Sequence, residues 1–211
     1  MNKRYFYRRN LPHLHYNEGT YFITYRLNDS IPVHLLKELR EEYDSDLKKS
    51  DDIDETKRRL FIKYDKLLDQ NTSDKINLTQ PELSSIIKNT LHYPDKSQYN
   101  LICYCIMPNH VHVIFELLKD NNGIIKILQS MKRISARDIN RVMKMTGPFW
   151  QAESYDRLVR DDKELFYTIN YVINNPVNAG LVSDPNEWRD TYYDPAICGI
   201  PEAPPENRKP E

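Results

Sequence analysis

The stretch Met107-Pro-Asn-His-Val-His-Val-Ile-Phe-Glu116 decides how this chain is read. It enters through a Pro-Asn turn and then alternates polar with apolar residues. A strand sends successive side chains to opposite faces. His110, His112 and Ile114 therefore share one face, and Val111, Val113 and Phe115 share the other, which should be core. Two imidazoles on one face, roughly 6.5–7 Å apart at a rise of ~3.3 Å per residue, can converge on one divalent ion at ~2.0–2.2 Å. A polar, half-exposed sheet face would also carry a His-x-His pair, so flanking sequence must choose between the two.

Upstream, Tyr99–Ile106 reads as a strand that meets the histidine strand through Met-Pro-Asn, an antiparallel hairpin. Its Cys103 and Cys105 read as buried thiols, and with Cys198 they form neither a disulfide framework nor a zinc pattern. Gly19–Leu27 is a further strand by its β-branched and aromatic content. Between these lies a long, charged, helical stretch. Val33 opens it, with Leu35, Leu36, Leu39 and Tyr43 at helix spacing; Asp44–Glu55 reads as a turn or exposed run. Thr56–Leu68 resumes a helix with Leu60, Phe61, Tyr64, Leu67 and Leu68 as its apolar stripe. Its alternating charges read as a solvated face without function. A third helix runs from the Thr79-Gln-Pro-Glu start to about Leu91.

Downstream, Ile124–Met145 reads as a long amphipathic helix. Its Lys126, Lys132, Arg133, Arg137, Arg141 and Lys144 make a phosphate-binding surface or an ordinary solvated face. Gly147-Pro breaks it, Phe149–Arg160 forms a last strand, and a helix follows from Glu164. Pro176 should end that helix at Asn175. Tyr167, Tyr171 and Asn175 fall at i, i+4 and i+8, roughly on one face. The order of elements matches an α+β, ferredoxin-like β-α-β-β-α-β antiparallel sheet with an added C-terminal helix. Helices would cover one sheet face and leave the other, with His110 and His112, open for a site.

The chain has 211 residues, enough for one domain with a real core. Its net charge of −1 gives no global basic field, so any nucleic-acid contact must come from local clusters. One such cluster is residues 1–16, where Lys3, Arg4, Arg8 and Arg9 interleave with Tyr5 and Tyr7. Cations among aromatics suit phosphate contact and base stacking; a soluble terminus reads the same way. No long apolar run and no signal-like start is seen, which points to a soluble, cytoplasmic protein.

Taken together, these motifs resemble a family. Met107-Pro-Asn-His-Val-His resembles the HUH motif, and Tyr171-Val-Ile-Asn-Asn-Pro-Val-Asn-Ala-Gly-Leu-Val182 resembles the tyrosine helix of single-tyrosine HUH transposases. Arg9-Asn-Leu-Pro-His, Gly19–Leu27 and Phe149-Trp-Gln with Tyr155-Asp-Arg are also similar to it, and the nearest subgroup is the REP-associated tyrosine transposases. The resemblance covers roughly residues 8–182. It implies a transposase domain over 1–182, with 33–97 as a helical insert, and a partly disordered tail over 183–211.

The resemblance also implies an activity: cleavage and rejoining of single-stranded, hairpin-bearing DNA through a 5′-phosphotyrosine. Tyr171 would be the nucleophile, with Tyr167 and Tyr155 as rivals. His110 and His112 would hold Mg²⁺ or Mn²⁺, with Asn175 as third ligand and Asn174 its alternate. DNA contacts would come from Arg8, Arg9, Arg26, Lys132, Arg133 and Arg137. The enzyme would work as a monomer or a homodimer. Two other functions fit the same residues: a domesticated hairpin-DNA-binding protein without turnover, and a phosphodiesterase using water with Tyr171 structural.

Overall fold

The computed structural model describes residues 4–8, 12–70, 76–194 and 196. A two-stranded hairpin, β1 (Arg4–Arg8) with β2 (Pro12–Tyr16), precedes the main sheet. The sheet itself is built from β3 (Gly19–Arg26), β4 (Tyr99–Ile106), β5 (His110–Leu117), β6 (Tyr155–Val159) and β7 (Thr191–Tyr193). Its spatial order is β6-β3-β5-β4-β7, and every neighbouring pair is antiparallel. The first four of these are the ferredoxin-like order. The segment beyond residue 182 supplies β7, so part of the expected tail is an edge strand, pinned by Trp188 Nε1 donating to the Ile106 carbonyl at 3.0 Å.

Among the described residues five α-helices pack on this sheet: α1 (Val33–Lys49), α2 (Ile53–Gln70), α3 (Pro81–His92), α4 (Ile124–Met143) and α5 (Asp162–Asn178). The break between α1 and α2 is much shorter than the charge run suggested. Charge alone does not stop a helix, and Leu39 and Tyr43 hold α1 to the core up to that run.

The expectation of helices on one face only is corrected. Tyr21, Ile23, Tyr25, Val111, Val113 and Phe115 pack under α3 and α4, as in the ferredoxin-like plan. The opposite face is also covered, by α1, α2 and α5. The physical reason lies in its residues. Phe22, Ile102, Cys103, Cys105 and Ile114 are apolar, each at most 6% exposed, and could not be left in water. Burying one such side chain contributes roughly 1.5–3 kcal/mol. Of the three helices between β3 and β4, α1 and α2 thus pack on this second face and α3 on the first. A register shift between Leu101 and Cys103 turns Ile102 and Cys103 to the same side, which is how both thiols reach the second core. Cys198 lies outside the described residues.

Pro176 does not end α5, which runs on to Asn178. A proline inside a helix costs one amide bond and crowds the carbonyl four residues back. Here the cost falls within the last turn, and Val172, Asn175 and Pro176 are all buried. Ala179 and Leu181 return their amides to the carbonyls of Asn175 and Pro176, both at 2.9 Å. Among the described residues no helix is long and apolar enough to cross a membrane.

Candidate catalytic and metal site

The site lies between the histidine strand β5 and the covering helices α2 and α5. His110 and His112 are both fully buried. Each ring is fixed through its Nδ1. Thr24, directly across from His112 in the β3–β5 register, places Oγ1 at 2.8 Å from His112 Nδ1. Asn109 Oδ1 lies 2.7 Å from His110 Nδ1, while Asn109 Nδ2 donates to the Leu68 carbonyl of α2 at 2.8 Å. The Asn of the turn motif therefore ties a histidine ring to the helix above it. With their Nδ1 atoms engaged, both rings present Nε2, and the two Nε2 atoms stand 3.0 Å apart.

The third group is one that the sequence reading passed over. Asp65 of α2 is 5% exposed, with Oδ1 at 3.3 Å from His112 Nε2 and 4.0 Å from His110 Nε2. Asp65, His110 and His112 form a group whose ligand atoms lie within 4.8 Å of one another. Burial opposes ionisation of Asp65, but His112, then His110 and the Tyr171 hydrogen bond, outweigh it and hold the carboxyl well below the usual range. Burial first, and then His112, push His110 down to about 3, so this imidazole is neutral and its Nε2 lone pair is available. The signal was present in the sequence: Asp65 is an acid set four residues after Phe61 and three before Leu68, inside the apolar stripe.

Tyr171 reaches the same point from α5. Its hydroxyl donates to Asp65 Oδ2, and its ring meets those of Phe61, His112 and Phe22 edge-on at 5.4, 5.7 and 6.1 Å. Burial, then the Asp65 charge, raise its pKa far above the ordinary phenol value. Asn175, one turn later, donates through Nδ2 to Asp65 Oδ2 at 3.2 Å and to the Tyr171 oxygen at 3.3 Å. Asn174 instead turns back to the Asn170 carbonyl. Of the rival tyrosines, Tyr167 is half exposed, and Tyr155 is buried against Phe61, 4.6 Å between ring centres.

The basic residues divide differently. Arg26 faces inward, 2% exposed, with Nε donating to Tyr64 Oη at 3.1 Å and its guanidinium on Ser30 and the Leu27 carbonyl. Lys132 donates to the carbonyls of Gln151 and Ala152, at 2.8 and 3.2 Å. Arg137 lies against Asp138 through two hydrogen bonds. Arg133 and Lys126 are exposed along an open groove of about 680 Å³ between α4 and residues 147–152. Arg8 closes β1, and Arg9 lies outside the described residues.

The residues fit a divalent ion. Two imidazoles and one carboxylate are a mixed nitrogen–oxygen donor set, and Asp65 Oδ1 is buried without a well-placed donor. Two nitrogens this close, at bonds of ~2.1 Å, would subtend about 90°, the angle between adjacent ligands of an octahedral ion. Three protein ligands leave positions open, as catalysis requires.

A solved structure of a REP-associated tyrosine transposase bound to a REP hairpin shares the fold, with a TM-score of 0.55 over 88% of this chain and 80% of that one, at 14% identity. A putative REP-associated tyrosine transposase of Haemophilus influenzae is 31% identical over 117 residues, which is 51% of this chain and 64% of that relative, a little under two thirds of its length. The family described as "Transposase IS200 like" matches residues 67–175, which hold the histidine strand, the basic helix and the tyrosine helix. The chain belongs to the IS200-like transposase family.

Proposed function

We propose that this protein cuts and rejoins single-stranded DNA beside a hairpin, through a covalent bond between Tyr171 and the DNA. The observation that carries the reading is one carboxylate serving two neighbours: Asp65 directs Oδ1 towards His110 and His112 and accepts the Tyr171 hydroxyl on Oδ2. Nucleophile and ion site are thereby joined. In the related solved structure the bound DNA is a REP hairpin, and this supports a hairpin as the partner here.

His110, His112 and Asp65 would hold Mg²⁺ or Mn²⁺. When bound, such an ion would neutralise a non-bridging phosphate oxygen and orient in-line attack. Tyr171 attacks the phosphorus. Its O–H bond breaks, with the proton passing to Asp65 Oδ2. An O–P bond forms, and the bond from phosphorus to the 3′ oxygen breaks; the proton held briefly by Asp65 passes on to that oxygen, which leaves as a 3′-hydroxyl. One phosphodiester replaces another, so rejoining needs no nucleotide cofactor. Phe22 and Phe61 pack edge-on against the Tyr171 ring, and all three line an open pocket of about 840 Å³ through which a DNA backbone could reach the hydroxyl. Exposed Lys126 and Arg133 beside the α4 groove suit the phosphates of the stem.

The test mixes labelled single-stranded DNA, carrying a hairpin from the flanks of the gene, with wild type or Tyr171→Phe and Mn²⁺. A protein-linked labelled band on a denaturing gel in wild type alone is the expected result. Hairpin binding with no such band would replace this reading with that of a binding protein, and cut ends without a covalent species would point to a hydrolase.

A further inference from the structure

Tyr171 shares its pocket with two side chains that the proposed chemistry leaves unused. Tyr167, one turn earlier on α5, lines it, and Arg157 of β6 lines it from the strand side. Tyr167 is 50% exposed, whereas Phe22 and Phe61 of the same pocket are buried. Its ring is braced edge-on by Phe166, 5.5 Å between centres. Half of an aromatic side chain is thus left in solvent beside the nucleophile. Arg157 stands across from Phe22 in the β3–β6 register, on the sheet face that carries the site. Its Nη2 pairs with Glu164 Oε1 at 3.1 Å and donates to Thr168 Oγ1 at 3.3 Å, both on α5. These contacts aim the guanidinium without exhausting it. Nε is buried with no partner, and Nη1 makes no hydrogen bond among the described residues. Other acids of the pocket are committed elsewhere. Asp161 accepts the Glu164 amide, Asp52 accepts the amides of Asp54 and Glu55, and Asp54 pairs with Arg160.

We propose that Tyr167 and Arg157 position the single strand for cutting: Tyr167 stacks on a base beside the attacked phosphate, and Arg157 holds a backbone phosphate of the same strand. The proposal rests on the reading of Tyr171 as the nucleophile. Residues four apart share one helix face, about 6 Å apart along the axis. A strand with one phosphate at the Tyr171 oxygen therefore carries an adjoining nucleotide past Tyr167. An unpaired base exposes its faces to water, and an exposed aromatic ring offers one of them a partner. A phosphate entering the pocket meets in Arg157 a charged donor already oriented by Glu164 and Thr168. A duplex could not use the ring, because its bases are stacked on one another. Since every base has a π-face, the pair selects for an unpaired strand at the cut and not for its sequence.

The experiment uses the full chain as Tyr171→Phe, so that binding is read without cutting. Its probe is hairpin DNA from the flanks of the gene with 2-aminopurine placed at each unpaired position in turn. Binding should quench the fluorescence at one position most strongly. Adding Tyr167→Ala should abolish that quench and weaken binding ~10-fold. Adding Tyr167→Phe should change neither, because stacking needs the ring and not the hydroxyl. Adding Arg157→Gln should lower the slope of log K against log salt by about 0.7 and leave the quenched position where it is. Arg157→Lys, which keeps the charge, should restore the slope even if loss of the Glu164 pair lowers the melting temperature. With Tyr171 present, Tyr167→Ala and Arg157→Gln should each raise the DNA concentration for half-maximal adduct formation. A quench that survives Tyr167→Ala, or none at any position, would overturn the proposal. So would a Tyr167→Phe variant as weak as Tyr167→Ala, or a salt slope that Arg157→Gln leaves unchanged. If quench and salt slope respond as expected but wild type forms no adduct, it is the proposed function that fails, and the path of the strand stands.

Discussion

The hydroxyl of Tyr171 donates to the carboxylate of Asp65 across 106 residues of sequence, from the last helix to the second. Asp65 is buried, and Tyr171 is partly so. Two elements that pack on the same sheet face are thereby locked at the point where β5 brings its histidines.

Thr24 and Asn109 touch the histidines through their Nδ1 atoms, away from the Nε2 atoms that could hold an ion. Thr24→Val keeps the shape of the strand and removes the partner of His112. Mn²⁺ affinity should fall roughly 10–100-fold, with a stability loss of about 1–2 kcal/mol. Asn109→Ala should cost more in both, because the same side chain also holds the Leu68 carbonyl. Calorimetric titration and urea unfolding check the two together.

The cations of α4 should separate by experiment. Lys126→Ala and Arg133→Ala should each lower the dependence of log K on log salt by about one unit while leaving stability unchanged. Lys132→Ala should do the reverse. Its ammonium, pushed down to about 8 by burial and then by Arg26, holds the Gln151 and Ala152 carbonyls. Its loss should lower the melting temperature. Fluorescence anisotropy with hairpin DNA over a salt series, beside melting curves, distinguishes them.

Gly19 has φ +119°, and a Cβ there would meet Leu158 Cδ1 at 2.9 Å. Gly19→Ala should destabilise the fold by about 1–3 kcal/mol through backbone strain, moving the urea midpoint with little change in slope.

Asp69 stands one turn beyond Asp65 on α2, its pKa raised to about 6 by burial first and then by the Asp65 charge. A carboxyl raised on folding stabilises fully below its unfolded value of 3.8, and that contribution is lost as pH rises through 6. His110, depressed to about 3 from 6.5, acts in the opposite sense: its contribution is complete above 6.5 and is lost on acidification. Between pH 4 and 6 the two slopes oppose. In Asp69→Asn, stability should therefore fall more steeply on acidification than in wild type, by a fraction of the ~1.4 kcal/mol per pH unit of a whole proton, since Asp69 is partly solvated. An unchanged slope in urea unfolding at pH 4, 5 and 6 would remove Asp69 from this account.

Much of this architecture is legible in residue order because strands announce themselves by alternation. The faces of β5 followed from His110 to Phe115 alone, and the hairpin from Met107-Pro-Asn. What remained hidden involves contacts between distant segments. Asp65 looks like one more acid on a charged helix until α2 is laid over β5; only its place within an apolar stripe set it apart. Arg26 reads as a candidate for DNA contact until α2 brings Tyr64 over it. Pro176 reads as a stop because local rules omit the burial of Val172, Asn175 and Pro176 that keeps α5 winding. The second helical layer was missed for a similar reason: the apolar residues of the histidine face are interleaved with His110, His112 and Thr24, and read as the lining of an open site.

The placement of α5 after β6 has a consequence in time. Chains are made from the N-terminus, and domains begin folding as they emerge. Asp65, His110 and His112 and four of the five strands of the sheet are all synthesised before Asp162 opens the last helix. The ribosome therefore delivers the pair of rings and the carboxylate first, and the tyrosine only when its seat is ready to receive it. A nascent chain halted ahead of α5 would carry Asp65, His110 and His112 but lack Tyr171.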